Sequence, residues 1–223
     1  LACVLCNRSF LKWGVDQIKD HQKTYGDLTV EDAIRLGNSF KQNMFCGNIS
    51  DPIYNPQFLD ILRALGTTTT ESVQIHTNGS WKPNEWWHEL VDICNSQKYY
   101  TELVFGIDGI DEKCAIHREN QKFDESWYAM TYCKQNLNPE NSLVVWQFIP
   151  FKYNQHEIKQ AKALAKQHRL RFLILKSGRF GFENGPLDPP DDESLYSTNI
   201  ISSREYIKYD LNEEDPTFEG RVI

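Results

Sequence analysis

The chain has 223 residues, 40% of them hydrophobic and 13% aromatic, which favours one α/β domain with a sizeable core over two small domains. Its 24 Lys and Arg residues against 31 Asp and Glu give a net charge of -7, so we expect no nucleic-acid partner, which would require a basic stripe. The sequence has neither the ~20 consecutive apolar residues of a membrane span nor a signal peptide, so we expect a cytoplasmic protein with no membrane contact.

The chain opens with a Cys-x-x-Cys pair, ACVLCNR, formed by Cys3 and Cys6. Such a pair occurs in zinc sites, in redox-active dithiols and in iron–sulfur clusters. A zinc site would need two more ligands, yet no second pair and no histidine pair at zinc-finger spacing follows. An iron–sulfur cluster requires more than two thiolates close together. The pair alone therefore leaves its chemistry open.

Five short apolar runs recur along the chain, and each is typical of a buried strand. They are QNMFCGN (42–48), SVQIHTN (72–78), ELVFGID (102–108), SLVVWQFIP (142–150) and RFLILKS (171–177). Consecutive runs lie about 30 to 40 residues apart, the length of a βα unit, so the pattern predicts parallel strands joined by helices. A partial or complete (βα) barrel follows naturally, while a doubly wound open sheet is the alternative that spacing leaves open.

Helix start signals stand between these runs. They are Thr29 with Asp32 as a capping box, Asn55 with Pro56 ahead of QFLDILRAL, and Asn154 with Glu157 ahead of EIKQAKALAKQHR. The segments GNISDP, TNGS, IDGID and PFKYN lie at the carboxyl ends of the strands, which is where (βα) folds carry their chemistry. Residues 1–180 form the predicted core, and the acidic, Pro- and Gly-rich residues 181–223 are expected to be a linker and the start of a C-terminal extension.

ACVLCNR, followed in order by FCGNISDPIYNP, IHTNGS, FGIDG and HR, resembles the radical S-adenosylmethionine (SAM) superfamily over residues 1–180. The resemblance implies an α/β fold, a partial (βα)6 TIM-like barrel of parallel strands, whose first strand would precede Leu1. The family's cluster motif is Cys-x-x-x-Cys-x-x-Cys, so Cys3 and Cys6 look like its second and third metal ligands. The first cysteine would lie two positions before Leu1. The chain as printed would then lack one ligand of the [4Fe-4S] cluster and be inactive alone.

The resemblance also implies a site for SAM on two neighbouring strand ends. Ser50 and Asp51 stand where the family's turn after the second strand holds the amino group of SAM. An acid suits that position because an ammonium group needs oxygen acceptors. An ordinary turn ahead of Asn55 is the alternative interpretation. Thr77 and Asn78 follow the next strand, at the place where the family lines the SAM pocket.

The fourth and fifth strands of the resemblance contribute the remaining candidate residues. FGIDG followed by Arg118 resembles the family's SxDG…R arrangement, in which the Ser and the Arg hold the SAM carboxylate. Gly106 stands in the serine position, so only its backbone is available there. Asp108 either faces the substrate or fixes the turn. Gln147 lies in an apolar strand and needs a hydrogen-bond partner, which a SAM hydroxyl or a backbone group would supply.

The family's activity follows as an implication of the resemblance. A reduced [4Fe-4S] cluster would cleave SAM to a 5′-deoxyadenosyl radical, which abstracts hydrogen from a substrate. An external low-potential donor of the flavodoxin or ferredoxin type would be needed, and relatives with a C-terminal extension often act on peptides. Two alternatives stay open: a barrel that binds SAM or another nucleotide without radical chemistry, and a zinc-binding interaction protein that uses Cys3 and Cys6.

Overall fold

The computed structural model describes residues 26–46, 50–175 and 187–192, the single residues 23 and 195, and the backbone at 2–3 and 207–208. The strands are β1 (Ala2–Cys3), β2 (Gln42–Phe45), β3 (Ser72–Thr77), β4 (Tyr100–Gly106), β5 (Arg118–Glu119), β6 (Ser142–Phe148), β7 (Arg171–Ile174) and β8 (Ile207–Lys208). The helices are α1 (Val30–Ser39), α2 (Phe58–Leu65), α3 (Asn84–Ser96), α4 (Cys114–His117), α5 (Phe123–Asn136) and α6 (Ile158–Gln167). Short 3-10 turns precede α2, α4 and α6. Cys6 and most of the predicted linker lie outside the described residues.

The main sheet contains five parallel strands whose spatial order is their chain order, β2-β3-β4-β6-β7. The short strand β8 pairs with β7 in the antiparallel direction. A doubly wound sheet reverses its strand order at a switch point, and these five strands contain no reversal. The parallel α/β sheet of five strands predicted from the apolar runs is therefore confirmed, and its strand order is consistent with a partial barrel.

The two faces of this sheet differ sharply in what they pack against. On one face, alternate strand residues such as Phe105 and Trp146 join the helices in one large hydrophobic core. On the other face, which we call the inner face, Val104, Val145 and Leu173 form a separate small cluster. Because side chains alternate across a strand, helices on one side leave the other side for a ligand. The sheet thus has a helix-covered face and an inner face.

Trp146 shows how the core fixes the carboxyl end of the sheet. Its side chain is fully buried and meets the rings of Trp127 and Phe172 edge to face, at centroid distances of 5.3 and 5.2 Å. Its Nε1 donates a hydrogen bond of 2.9 Å to the carbonyl of Ile107, just past the end of β4. Aromatic pairs of this geometry stabilise by about 0.5–1.5 kcal/mol beyond the buried area. The core therefore fixes the positions of the carboxyl ends of β4 and β6 relative to each other.

The first two helix-start predictions, at Thr29 and at Asn55, have different outcomes. The capping box is confirmed, because Thr29 Oγ1 accepts the backbone N–H of Asp32 and the Asp32 carboxylate accepts that of Thr29. The Asn55 cap is displaced: Asn55 accepts the N–H of Gln57, and α2 begins only at Phe58.

No helix among the described residues is long and apolar enough to cross a membrane.

The predicted capping box of Asn154 and Glu157 is wrong. Asn154 Oδ1 accepts the N–H of Phe151, and Glu157 Oε2 accepts the N–H of Ile110, at 2.7 and 2.9 Å. Both side chains are buried and bind the loops that follow β4 and β6 instead of opening α6. Helix-cap residues are also good loop ligands, and tertiary contacts decided between the two uses. Through these contacts, Asn154 and Glu157 support the loops that carry the candidate site.

Candidate functional site

The predicted site residues meet at the carboxyl edge of the sheet. Thr77 and Gly106 end β3 and β4, and Gln147 is the penultimate residue of β6. Asp51 lies in the turn that opens the 3-10 helix after β2. Carboxyl ends of neighbouring parallel strands converge at one edge, so residues far apart in sequence become neighbours there.

Asp51 joins the turn after β2 to the end of β3. Its Oδ2 accepts hydrogen bonds from Thr77 Oγ1, Asn78 N and Asn78 Nδ2, at 3.0, 2.7 and 2.7 Å. Its Oδ1 accepts the N–H of Ile53 at 3.2 Å and so caps the 3-10 helix. Three of these donors share Oδ2 and one binds Oδ1, so both carboxylate oxygens are hydrogen-bonded within the protein. Asp51, Thr77 and Asn78 therefore form one clamp, and Ser50 lies exposed beside it.

The pKa of Asp51 depends on its burial and on the positive charge of Arg118. Burial raises the pKa of Asp51, while its hydrogen bonds and the positive charge of Arg118 oppose that rise. The Tyr54 hydroxyl, which donates to the carbonyl of Ser80, has its pKa raised to about 12 by burial and by the Asp51 charge. Asp51 and Arg118, the two residues proposed for opposite ends of an amino acid, thus influence each other electrostatically.

Asp108 and Arg118 form a largely buried ion pair in the site. Asp108 is fully buried, and its Oδ2 accepts a hydrogen bond of 2.8 Å from Nε of Arg118 and another of 2.8 Å from Nδ1 of His117. Its Oδ1 accepts the N–H of Ile149 at 2.8 Å. An ionised carboxylate only accepts, so Nδ1 of His117 carries the proton in this contact.

The surroundings of Asp108 favour its ionised form. Burial alone would raise its pKa, but the Arg118 charge and the hydrogen bonds from His117 and Ile149 outweigh burial and hold the pKa below its usual range. The carbonyl of Asp108 accepts hydrogen bonds from the Tyr153 hydroxyl and from Nδ2 of Asn154, at 2.5 and 2.9 Å. Both the side chain and the backbone of this residue are therefore fixed.

Gly106 leaves the space that the Arg118 guanidinium fills. A Cβ on Gly106 would lie 2.6 Å from Nη2 and 3.0 Å from Cζ of Arg118, closer than such atoms approach in proteins. The carbonyl of Gly106 accepts a hydrogen bond from Nε2 of Gln121, which also donates to the carbonyl of Asn78. The absence of a side chain at position 106 therefore has a direct structural use.

Gln147 presents an amide with an unused hydrogen-bonding capacity. The sheet register pairs it with Gly106 on one side and with Leu173 on the other, so it lies on the inner face. It is 9% exposed, and its amide makes no hydrogen bond with any residue that the structure describes. Its amide atoms are not fully buried, so they remain accessible to a polar ligand.

The backbone of Cys3 lies beside this site. Strand β1 pairs with β5 in the antiparallel direction, and the register sets Cys3 opposite Arg118. Cys6 lies outside the described residues. Among the residues that are described, no three His, Cys, Asp or Glu side chains form a group that could hold a metal ion. The pairing sets the backbone of Cys3 opposite the backbone of Arg118.

A pocket of about 360 Å³ opens next to the Asp51 clamp. Its lining residues come from the segment before α1, from the end of β2 and from the turn that leads to α2. They are Gly26, Asp27, Leu28, Met44, Phe45, Cys46, Ser50, Asp51, Pro52, Tyr54, Asn55 and Phe58. The wall of this pocket is mixed, with polar groups such as Ser50, Asp51 and the exposed Cys46 beside apolar ones such as Phe45 and Phe58.

An exposed tryptophan marks the rim after β3. Trp81 is 54% exposed, and its backbone adopts a left-handed conformation with φ of 66°, which is rare for a bulky residue. Its N–H donates to Glu125 and its indole Nε1 to the carbonyl of Asn120, while the ammonium of Lys122 lies 5.0 Å from the ring centroid. The ring is thus held in place while one side remains accessible.

Several residues of the site were missed by the sequence analysis. His117, Gln121, Tyr153 and Asn154 bind the end of β4 from segments that follow it by 9 to 46 residues. The segments IDGID and PFKYN were recognised as strand ends, but nothing in their sequences indicates that one binds the backbone of the other. A pairing signal between positions would have been needed to find them.

Comparison with known proteins gives a likeness of fold. No protein-family model matches the chain. No curated protein matches its sequence. Among solved structures, Streptococcus suis SuiB bound to the precursor peptide SuiA is similar, with a TM-score of 0.53 and 15% sequence identity. The match covers 66% of this chain and 32% of SuiB, so the chain spans about a third of the length of that protein.

A second SuiB structure, bound to S-adenosylmethionine, has a TM-score of 0.49 and 13% identity over 79% of this chain and 54% of that one. On its likeness to the peptide-bound structure, this chain shares the fold of a SuiB segment.

Proposed function

We propose that this chain is the core of a radical SAM enzyme that acts on a peptide. One observation carries the proposal: Asp51, Arg118 and the backbone of Cys3 come together at one edge of the sheet, although they are distant in sequence. These are the positions at which the family resemblance puts the amino group of SAM, its carboxylate and the cluster. Neither zinc binding nor a nucleotide site without a cluster would need all three together.

The described residues fit SAM at three points. The Nη fork of Arg118 matches the two oxygens of a carboxylate, and Gly106 leaves it room. The amide of Gln147 suits a ribose hydroxyl. Toward the amino group, Asp51 contributes its negative charge, while Thr77 and Asn78 hold it in position. Cys3, Cys6 and an upstream cysteine would hold the [4Fe-4S] cluster.

When bound, the cluster and SAM supply the radical chemistry that abstracts hydrogen from a substrate. The residues of this chain have the task of positioning and of excluding water. The side chains of Asp108 and Arg118 already form their ion pair without a ligand, so binding of a carboxylate requires little reorganisation of these side chains. No side chain of the site is assigned as a proton donor or acceptor. A cytoplasmic flavodoxin or ferredoxin would supply the electron.

Anaerobic reconstitution tests this function on a chain that continues upstream to the missing cysteine. We expect a brown protein that binds about four irons per chain and releases 5′-deoxyadenosine when it is reduced in the presence of SAM. Ala variants of Cys3 or Cys6 should lose both properties. The matched control Cys46→Ala, which removes an exposed thiol, should keep them.

Two outcomes would contradict the proposal. A colourless protein that binds zinc stoichiometrically through Cys3 and Cys6 would indicate the zinc-binding alternative. A protein that binds SAM but holds no iron would indicate a SAM-binding barrel without radical chemistry. A residue other than cysteine two positions before Leu1 in the natural sequence would remove the third ligand.

A peptide is the substrate class that we propose, on two grounds. The fold is shared with SuiB in its complex with a precursor peptide. The exposed ring of Trp81 at the rim suits a peptide side chain, because aromatic residues dominate peptide-binding surfaces. Deuterated peptides incubated with the reduced protein should transfer deuterium to 5′-deoxyadenosine. Trp81→Ala should lower that transfer without changing SAM affinity, and transfer from no peptide in a broad library would contradict this class.

A further inference from the structure

Asp108 is placed to act on a ligand only through another residue. Its side chain is fully buried, and both carboxylate oxygens accept hydrogen bonds within the protein. A ligand at the edge of the sheet therefore meets the Arg118 guanidinium, which is 18% exposed, and not the acid behind it. The alternative in which Asp108 faces the substrate does not agree with this burial.

Three contacts determine the direction of the Arg118 side chain. Asp108 accepts its Nε donor, and the missing side chain of Gly106 provides the space for its Nη2 and Cζ atoms. Its backbone is held in β5 against the backbone of Cys3. An arginine side chain has several rotatable bonds, and fixing them before binding removes part of the entropic cost of binding.

The acid is itself fixed from three sides. His117 shares Oδ2 with Arg118, the N–H of Ile149 occupies Oδ1, and Asn154 and Tyr153 bind the backbone carbonyl. These partners belong to two separate segments of the chain, α4 and the loop after β6. An isolated surface ion pair lacks such support, and its geometry is correspondingly loose. The network is therefore built to hold one carboxylate in one orientation.

We propose that Asp108 is a positioning residue that orients the Arg118 guanidinium toward the carboxylate of an amino-acid ligand. The inference rests on the proposed function, because SAM is the ligand that it names. Its consequence is selectivity: Asp108 contributes to binding of ligands that carry an amino-acid carboxylate and not to binding of those that lack one. A residue that merely stabilised the fold would affect both classes equally.

Binding measurements on the reconstituted, upstream-extended protein test this selectivity. The probes are SAM and 5′-methylthioadenosine, which keeps the adenosine and lacks the amino-acid part. We expect Asp108→Asn to weaken SAM binding at least about tenfold and to leave 5′-methylthioadenosine binding unchanged. The matched control is Asp111→Asn in the same loop, an exposed position with φ of 59° that asparagine tolerates, and it should change neither affinity.

A double variant keeps the inference testable if Asp108→Asn unfolds because it leaves a buried guanidinium without its counter-charge. Asp108→Asn combined with Arg118→Gln removes both charges, and its SAM affinity should equal that of Arg118→Gln alone, since Asp108 acts through Arg118. The inference would be overturned if the losses of SAM affinity in the two single variants added up in the double variant. It would also be overturned if Asp108→Asn weakened the binding of SAM and of 5′-methylthioadenosine equally. If the unaltered protein binds SAM and Asp108→Asn binds it equally well, only the positioning role fails. If the unaltered protein binds no SAM, the proposed function itself fails.

Discussion

Position 106 is the residue at which this chain departs from the motif that it resembles, and the structure gives the departure a physical reason. The Arg118 guanidinium occupies the volume that a Ser side chain would need. A single methylene and hydroxyl therefore compete with the group that would bind a carboxylate. The glycine and the arginine are best regarded as one unit.

We predict that Gly106→Ser weakens SAM binding although it restores the residue of the motif. The new Cβ would displace Nη2 of Arg118, which lies 2.6 Å away, and so misalign its fork of donors. The fold should tolerate the change, because the displaced atoms are the end of a flexible side chain. Isothermal calorimetry should show an affinity about tenfold lower, with the melting temperature nearly unchanged. Tighter SAM binding by this variant would mean that Arg118 does not hold the carboxylate in its present position.

The site residues that the sequence predicted were those at strand ends with a recognisable motif. Asp51, Thr77, Gly106 and Arg118 could be named because each stands in a short turn after an apolar run. Their hydrogen-bond partners could not be predicted: Asp51 and Thr77 are 26 residues apart, and their contact depends on how β2 and β3 pair. Local sequence predicts the position of a side chain along the chain, whereas its partner is decided by tertiary packing.

At the level of elements, strands were predicted better than helix starts. Each apolar run contains a strand, because short apolar runs separated by the length of a βα unit are typical of a parallel sheet. The run predicted for β2 was too long: it reaches residue 48, whereas the strand ends at Phe45. The cap predicted at Asn154 failed because its Oδ1 accepts the N–H of Phe151. A buried loop N–H must find an acceptor, and this one takes the oxygen that a helix cap would need.

The inner face of β3 allows a prediction about pH. His76 lies opposite Val104 on this face, and burial lowers its pKa to about 4 from an unfolded value near 6.5. The folded state therefore prefers the neutral imidazole, and this contribution is complete above pH 6.5 and is lost as pH falls toward 4. The loss should reach about 3 kcal/mol of unfolding free energy at pH 4.

Denaturant titrations between pH 7 and pH 4 measure this contribution. His76→Gln should show a shallower loss of stability with falling pH than the unaltered protein, whatever its stability at pH 7. The control His156→Gln removes an exposed imidazole and should keep the original slope. Equal slopes for all three proteins would show that His76 is protonated in the folded state without cost.

At the scale of the whole molecule, the sheet has two unequal edges. β7 is followed by the antiparallel β8, whereas β2 pairs with β3 and has no second partner among the described strands. Apolar side chains are exposed near that edge, with Phe40 at 58% and Met44 at 57%. An unpaired edge strand with exposed apolar neighbours is a place where another strand adds readily. The partial barrel predicted from the sequence would have its first strand here.

We therefore predict that a chain extended upstream of Leu1 protects the outer edge of β2. Amide hydrogens that point away from β3 exchange with solvent in the printed chain, and a new parallel strand would hydrogen-bond them and bury Met44. Hydrogen–deuterium exchange should then slow in Gln42–Phe45 of the longer chain and stay unchanged in the central strand β4, which serves as the internal control. Unchanged exchange in β2 would mean that the upstream residues form no strand at this edge, and the wall of five parallel strands would then be the complete sheet on that side.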